Sequence, residues 1–402
     1  MSTVVAPPSK PHISELEFIA LMAFLMSNVA LSIDAILPAL TQIGESLSRA
    51  DDGRLQLVVT MIFLGLGLGE LVFGTLSDSI GRKPIVFAGV ALFMLASLVC
   101  VTANSLEGLL LGRVLQGIGL SAPRTVSMAI IRDVHSGDKM ARIMSFIGTI
   151  FILIPMIAPI LGQFILKAFN WQAIFYFQLI FISVTVGWFG LRQRETLLPE
   201  RRIPFSKTLF IDGFKEFLRF RNTLIYTFVA GVIEGSFILY LSSSKYIFQD
   251  QYQMVDEFPY IFAALAFAFG LATFFNGSLV TRIGMRKLVD RALYGFILSP
   301  LLYLLLFFSS SNPSLVIVMA FLAMQFLCLG FIFGNLSALA MQPIGHIAGI
   351  GAALFSFTTM STAVVLAIVM GQFIADTALP LFISFFSTGL CAFLLLRWRK
   401  ED

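Results

Sequence analysis

The sequence predicts an all-α membrane protein: twelve transmembrane helices in two six-helix bundles, with both termini cytoplasmic. Three observations carry that prediction. Of 402 residues, 58% are hydrophobic and 12% charged, against about 45–50% and roughly 25% in a soluble globular domain. So little charge cannot cover a water-facing surface. Twelve stretches are apolar over the ~20 residues that a spanning helix needs. Lysine and arginine alternate in abundance from one connection to the next, twenty-one on one side of the membrane and four on the other, and the richer side is cytoplasmic. The same composition excludes a soluble enzyme, a nucleic-acid binder and a disordered chain. The net charge of +4 therefore reports orientation, and no nucleic-acid partner is expected. The 42 phenylalanines against 8 tyrosines supply aromatic surface without a polar handle, as lipid contact and helix packing prefer. Cys100, Cys328 and Cys391 lie inside apolar runs and read as buried small hydrophobes.

In chain order, the tail Met1–Glu15 holds Pro7, Pro8 and Pro11 and is expected to be a disordered cytoplasmic segment. Spans follow at Leu16–Leu40, Leu55–Leu76, Ile85–Ala103, Leu106–Ile131, Ile143–Ala168 and Trp171–Leu191. The first is too long for the apolar core of a cleaved signal and lacks a small-residue cleavage site. These six make an N-terminal bundle over residues 16–191. A basic linker, 192–222, comes next, interrupted by Pro199 and Pro204. Within it, Phe205–Phe220 has the spacing of an amphipathic surface helix, the other reading being a solvated linker. The C-terminal bundle, 223–396, holds Leu224–Tyr246, Phe258–Val280, Leu288–Phe308, Leu315–Leu339, Ile347–Phe373 and Ala378–Leu396, and residues 397–402 form a short cytoplasmic tail.

The halves carry a repeat. Gly74-Thr-Leu-Ser-Asp78-Ser-Ile-Gly81-Arg82-Lys83 follows span two, and Gly277-Ser-Leu-Val-Thr281-Arg-Ile-Gly284-Met285-Arg286 follows span eight, half a chain later. Parallel repeats of this kind place a cavity between the halves near the membrane midplane. The first copy resembles the loop motif of the major facilitator superfamily, and Gly112-Arg113-Val-Leu-Gln116-Gly117 of span four resembles its Arg-Gln-Gly motif. Pro155-Met-Ile-Ala-Pro159-Ile-Leu-Gly162 is similar to the span-five signature of its drug/proton antiporters, with degraded upstream glycine spacing. Asp34-Ala-Ile-Leu-Pro38, Trp171-Gln-Ala-Ile-Phe175 and Ala348-Gly349-Ile-Gly-Ala-Ala-Leu354 resemble the bicyclomycin/chloramphenicol-resistance (Bcr/CflA) type. Two departures stand out: Glu70 where such chains commonly carry Gln, and Thr281 and Met285 in the second loop, which reads as structural only.

Ionisable groups inside a span are costly and usually functional. Five are deep: Asp34, Glu70, Arg113, Arg124 and Glu234. Asp34 and Arg113 fall about 9 and 10 Å from the outer ends of spans one and four, which the resemblance makes neighbours. They are expected to be either a coupled pair whose carboxylate takes up and releases a proton, or a permanent structural ion pair. Arg124 follows Arg113 by eleven residues, within ~20° of three full turns, so both lie on one face with Gln116 and Gly117. Glu70 matches the depth of Arg124 and either contacts it or reaches the interface between the halves. Glu234, alone in its half, fits a cationic substrate, a second proton or no role. Three carboxylates against two arginines leave one negative charge without a cation, the property that a proton-coupled carrier needs.

The resemblance implies that Arg82 pairs with Asp133 and that Asp78 lies near the start of span eleven, where a helix N-terminus favours an anion. With Gly74 and Gly81 these residues would form a gate, or else only anchor topology. Pro155, Pro159 and Gly162 are expected to bend span five. Candidate cavity residues are Asn28, Glu70, Gln116, Arg124, Tyr240, Gln325 and Asn335, with Met26, Met61, Phe237, Phe262, Phe355 and Thr359 beside them.

The resemblance implies proton-coupled efflux of drug-like small molecules, such as chloramphenicol, florfenicol or bicyclomycin, by alternating access. The alternative is a proton-coupled carrier of an endogenous metabolite. No catalytic, metal-ligating or nucleotide-binding set is found, so an enzyme is not expected and protons are the expected coupling ion, without another cofactor. The expected partners are a small-molecule substrate and the bilayer of a bacterial cytoplasmic (inner) membrane, with a monomer sufficient.

Overall fold

A computed structural model describes residues 13–47, 52–203, 207–308, 312–374 and 377–399. The expected disordered tail lies outside these residues as far as residue 12, as do Pro204 and Phe205 of the linker. Twelve helices among the described residues are long and apolar enough to cross a membrane: Glu15–Ser46, Leu57–Ile80, Arg82–Val101, Leu106–Val134, Arg142–Ala168, Trp171–Arg192, Arg221–Gln251, Phe258–Ile283, Met285–Phe307, Leu315–Ile347, Gly349–Gly371 and Leu379–Leu396. They are called spans one to twelve below.

The start of span one corrects the assigned tail. Glu15 is already helical, and the Ser14 side chain caps the helix by accepting from the Glu17 amide. Glu15 is paired with Arg142 and Lys139, and Glu17 with Arg192 at 2.7 Å. Span one also runs past Leu40 to Ser46 by changing form: the α-helix stops at Asp34, and a tight 3₁₀ turn, Leu37–Ala39, precedes a further helical stretch, Leu40–Ser46. Span seven likewise extends, through a π turn at Tyr246–Gln251. Span five continues through Pro155 and Pro159 as one unbroken helix. Cys100 and Cys328 are buried, but Cys391 is exposed on span twelve, contrary to the expectation for it.

Helix pairing repeats. In the first half span two packs on four, three on four, one on five, three on six and one on six; in the second, eight packs on ten, nine on ten, seven on eleven, nine on twelve and seven on twelve. Each pair recurs six spans later. The two halves meet along spans two and eleven and along spans five and eight, which are themselves related by that repeat. Close approach within the first half depends on small residues, as is usual where no water drives helices together. A Cβ on Gly117 would fall 2.1 Å from the Ile62 carbonyl oxygen of span two. The expected surface helix is present as Lys207–Arg219. Its Phe217 is buried with Ile344 and Leu354, while Ile211, Phe214 and Leu218 face outward.

A bulky side chain at Gly117 should therefore separate spans two and four. Gly117→Leu is expected to destabilise the folded protein by about 1–3 kcal/mol, read as a lower midpoint of thermal unfolding in detergent. Gly148→Leu, where a Cβ meets nothing within 4 Å, should leave the midpoint near that of the wild type.

Candidate functional site

A cavity of about 460 Å³ lies between the halves. Spans one, two, four and five line it from the first half, and spans seven, eight, ten and eleven from the second. Its walls are apolar, with eight phenylalanines. Among the described residues three ionisable side chains reach it: Asp34, Arg124 and Glu234. At the end away from the basic linker its lining is buried, as at Val29, Leu241 and Phe262. Toward the linker the lining becomes half-exposed, at Ser337, Met341, Phe355 and the Arg124 side chain. The cavity is thus closed at the far face and opens toward the basic face.

Asp34 is 4% exposed and stands where span one leaves the α-helix. Among the described residues nothing donates a hydrogen bond to its carboxylate and no cation pairs with it. Arg113 does not hold it, which corrects the expected pair. The Arg113 guanidinium is fully buried and donates instead to the carbonyls of Ser32 (3.1 Å) and Val58 (2.8 Å) and to Gln116 Oε1 (2.9 Å). The physical reason lies in the helix break. The carbonyls at the end of a terminated helix need donors, and a long guanidinium supplies several at once. Arg113 thus positions the break that carries Asp34. Gly162 of span five does the same by its size: a Cβ there would lie 2.0 Å from the Ala35 carbonyl oxygen.

Glu70 and Arg124 form an ion pair at 3.1 Å, the first of the two readings for Glu70. Glu70 lies buried behind Arg124, whose guanidinium faces the cavity. Glu234, across the cavity on span seven, is close enough for the charges of Arg124 and Glu70 to act on it. Among the described residues it accepts no hydrogen bond and has no ion pair.

The polar candidates mostly lie elsewhere. Gln116 is fully buried in the first half, where it donates to Ser97 Oγ at 2.7 Å. Asn28 donates to the Phe24 carbonyl of its own helix at 2.8 Å. Asn335 donates to Asn276 Oδ1 at 2.7 Å, tying span ten to span eight. Tyr240 is buried behind the rings of Phe262 and Phe326, and Gln325 is fully buried. None of these five lines the cavity, and neither do Met26, Met61 or Glu70. Phe237, Phe262, Phe355 and Thr359 do, as does Pro155. Gln116, Asn28 and Asn335 are satisfied by partners inside their own bundle, whereas the Tyr240 hydroxyl and the Gln325 amide have no partner among the described residues.

At the basic face Arg82 donates to Asp133 at 2.9 Å, to Asp78 at 2.5 Å and to Ser77 at 2.9 Å. A Cβ on Gly349, in the first turn of span eleven, would lie 3.3 Å from Asp78 Oδ2, so the carboxylate faces that helix N-terminus. Gly74 is also at the seam, beside Ala353. Gly81 has φ 128°, a conformation that side chains resist. Sequence reasoning missed Glu195 of the linker. Its carboxylate accepts from the amides of Arg82 and Lys83, both at 2.9 Å, and so caps span three. A capping residue 113 positions away leaves no local signal. In the second loop Thr281 Oγ1 donates to the Ser278 carbonyl of its own helix, and among the described residues a Cβ on Gly284 would meet nothing within 4 Å.

Two pseudo-repeated six-helix bundles around a central apolar cavity, with titratable carboxyls inside it, define a polytopic membrane transporter of the two-bundle class. Residues 18–368 match the family profile described as Major Facilitator Superfamily. The chain belongs to that superfamily. It is 27% identical over 390 residues, 93% of each chain, to a bicyclomycin resistance protein homologue of Haemophilus influenzae. It is 30% identical over 343 residues, 83% of this chain and 84% of the relative, to the transporter YdgK of Bacillus subtilis. A multidrug resistance protein, MdtL of Klebsiella pneumoniae, is 33% identical over 191 residues, 45% of this chain and 48% of that protein. These relatives support the Bcr/CflA-type resemblance. Among solved structures, a D-xylose-proton symporter superposes with a TM-score of 0.74 at 13% identity, covering 97% of this chain and 98% of that one. The human organic anion transporter MFSD10 does so with 0.70 at 18% identity, covering 96% and 100%. Both show the fold.

Two outcomes test this geometry. Arg124→Gln strands the buried Glu70 and is expected to cost about 1–3 kcal/mol of stability, with the double variant Glu70→Gln/Arg124→Gln recovering most of it in thermal unfolding. Glu195→Ala should speed hydrogen exchange at the amides of Arg82 and Lys83, followed by mass spectrometry.

Proposed function

We propose that this protein is a proton-coupled exporter of drug-like small molecules in a bacterial cytoplasmic membrane. It works by alternating access, with Asp34 as the group that takes up and releases the proton. The single observation that carries the reading is Asp34 itself: a buried carboxyl with no cation or donor among the described residues, facing the central cavity at a break in span one. A carboxyl in such a place costs free energy unless it can shed its charge by protonation, and it is reachable from whichever side the cavity opens. The apolar, phenylalanine-rich walls suit ligands of moderate polarity and varied shape, in line with phenicols or bicyclomycin. The names of the relatives support the same substrate class.

In this reading the cycle has one exchange at its centre. Proton and substrate compete for the region around Asp34, so substrate arriving from the basic face displaces the proton inward. The bundles then rock about the seams of spans two with eleven and five with eight. The contacts of Arg82, Asp78 and Asp133 must break and reform at the basic face as the cavity changes side. One chain holds both halves and the cavity, so a monomer suffices.

The test is reconstitution into liposomes containing an interior pH dye, with an imposed pH gradient. Adding chloramphenicol, florfenicol or bicyclomycin to the wild type is expected to release protons with at least one of them, and Asp34→Asn is expected to abolish the release while remaining folded and still binding the compound. Arg113, as a positioning residue, should behave differently: Arg113→Lys should lower the thermal midpoint as well as the rate. If no compound moves protons through the wild type, export is refuted and uptake of a metabolite on the same fold takes its place.

A further inference from the structure

Glu234 has no part in the cycle just described, yet it occupies the cavity. It lies on span seven between Gly231 and Gly235, where that helix packs tightly on span eleven: a Cβ on either glycine would fall 2.8 Å from Thr362 Cβ or Leu366 Cβ. The backbone that carries it is thus held firmly, and its side chain enters the cavity. No hydrogen bond or ion pair holds the carboxylate among the described residues, so it contributes no structural tie. A carboxylate left without a partner in an apolar wall is costly, and the cost has a use only if a ligand offsets it.

The charges around it decide which ligand. Arg124 is the cationic side chain in the cavity, and it is already neutralised by Glu70 at 3.1 Å. Asp34 is occupied by the proton in the proposed cycle. What remains is one carboxyl on the wall of the second half, which carries its negative charge at least cost when a cation lies beside it. Beside it stands a connected group of rings: Phe237 meets Phe326 and Phe333 at centroid distances of 5.9 and 5.8 Å, and Phe333 meets Phe269 at 6.1 Å. All four line the same cavity. Ring faces attract a cation, and attract it more when water is excluded. A single carboxylate is too poor in oxygen for a hard divalent ion, which takes six or more oxygen ligands.

Building on the exporter reading, we propose that Glu234, with the ring group Phe237, Phe269, Phe326 and Phe333, is the site that reads substrate charge and binds the cationic centre of an organic amphiphile. The halves then divide the work: Asp34 in the first handles the proton, and Glu234 in the second handles the permanent charge of the substrate. Neutral substrates fill the same cavity without using Glu234.

The experiment measures equilibrium binding of tetraphenylphosphonium, which has no exchangeable proton, and of neutral chloramphenicol to purified full-length protein. Glu234→Gln is expected to weaken tetraphenylphosphonium by about tenfold or more and to leave chloramphenicol near the wild-type value, which also reports that the variant is folded. Glu234→Asp should restore most of the loss. In the wild type, tetraphenylphosphonium should slow carbodiimide labelling of Glu234, read by peptide mass spectrometry. The inference is overturned if Glu234→Gln binds tetraphenylphosphonium like the wild type, or if labelling of Glu234 is indifferent to it. Wild type that binds chloramphenicol but not tetraphenylphosphonium overturns this inference and leaves the exporter reading standing. Wild type that binds neither overturns this inference, and the exporter reading then falls only if florfenicol and bicyclomycin also move no protons.

Discussion

Pro38 has no amide hydrogen, so the carbonyl of Asp34, four residues earlier, cannot receive a helical hydrogen bond. Span one stops being an α-helix at that residue and resumes after a 3₁₀ turn. In a bilayer such a break survives only if other protein groups satisfy the freed backbone. Arg113 does this from span four by donating to Ser32, and Gly162 of span five lets its helix lie directly on the Ala35 carbonyl. The break is therefore fixed by three spans at once. Asp34 is delivered by it into the cavity, and the 3₁₀ turn that follows packs on spans five and seven.

This arrangement explains how two arginines on one face of one helix come to do different work. Arg113 sits where spans one and two cover span four, and its charge is spent on backbone carbonyls. Arg124, eleven residues further, emerges beyond that cover, pairs with Glu70 and faces the cavity. The first stabilises architecture and the second sets the field in the cavity. At the basic face the linker adds a second set of contacts. Glu195 caps span three beside Arg82, and the helix Lys207–Arg219 lies against the beginning of span eleven, the same region that Asp78 faces. One continuous segment therefore touches both halves at their meeting point.

Much of the fold was legible in the sequence because each span must be apolar over its whole length, and because the loop glycines and charges recur six spans apart. The pairing of Arg82 with Asp133, 51 positions apart, and the place of Asp78 were expected from the family resemblance rather than from local sequence. The site was less legible. Depth and helical phase put Asp34 and Arg113 on one level, but they do not tell where a long guanidinium turns when carbonyls compete with a carboxylate. Asn28, Gln116 and Asn335 looked like ligand contacts because they are polar; in the bundle they answer to partners in their own half. The cavity wall itself is phenylalanine, which reads the same in sequence whether it faces ligand or lipid.

The central claim is that Asp34 holds a proton in the cavity and loses it to substrate. Infrared difference spectroscopy of the protein in membranes tests this directly, by following the carbonyl stretch of a protonated carboxyl as chloramphenicol is added. The account predicts that substrate removes this band in the wild type and that the change is missing in Asp34→Asn. A band that persists on substrate binding, or that disappears equally in Asp34→Asn, would contradict it.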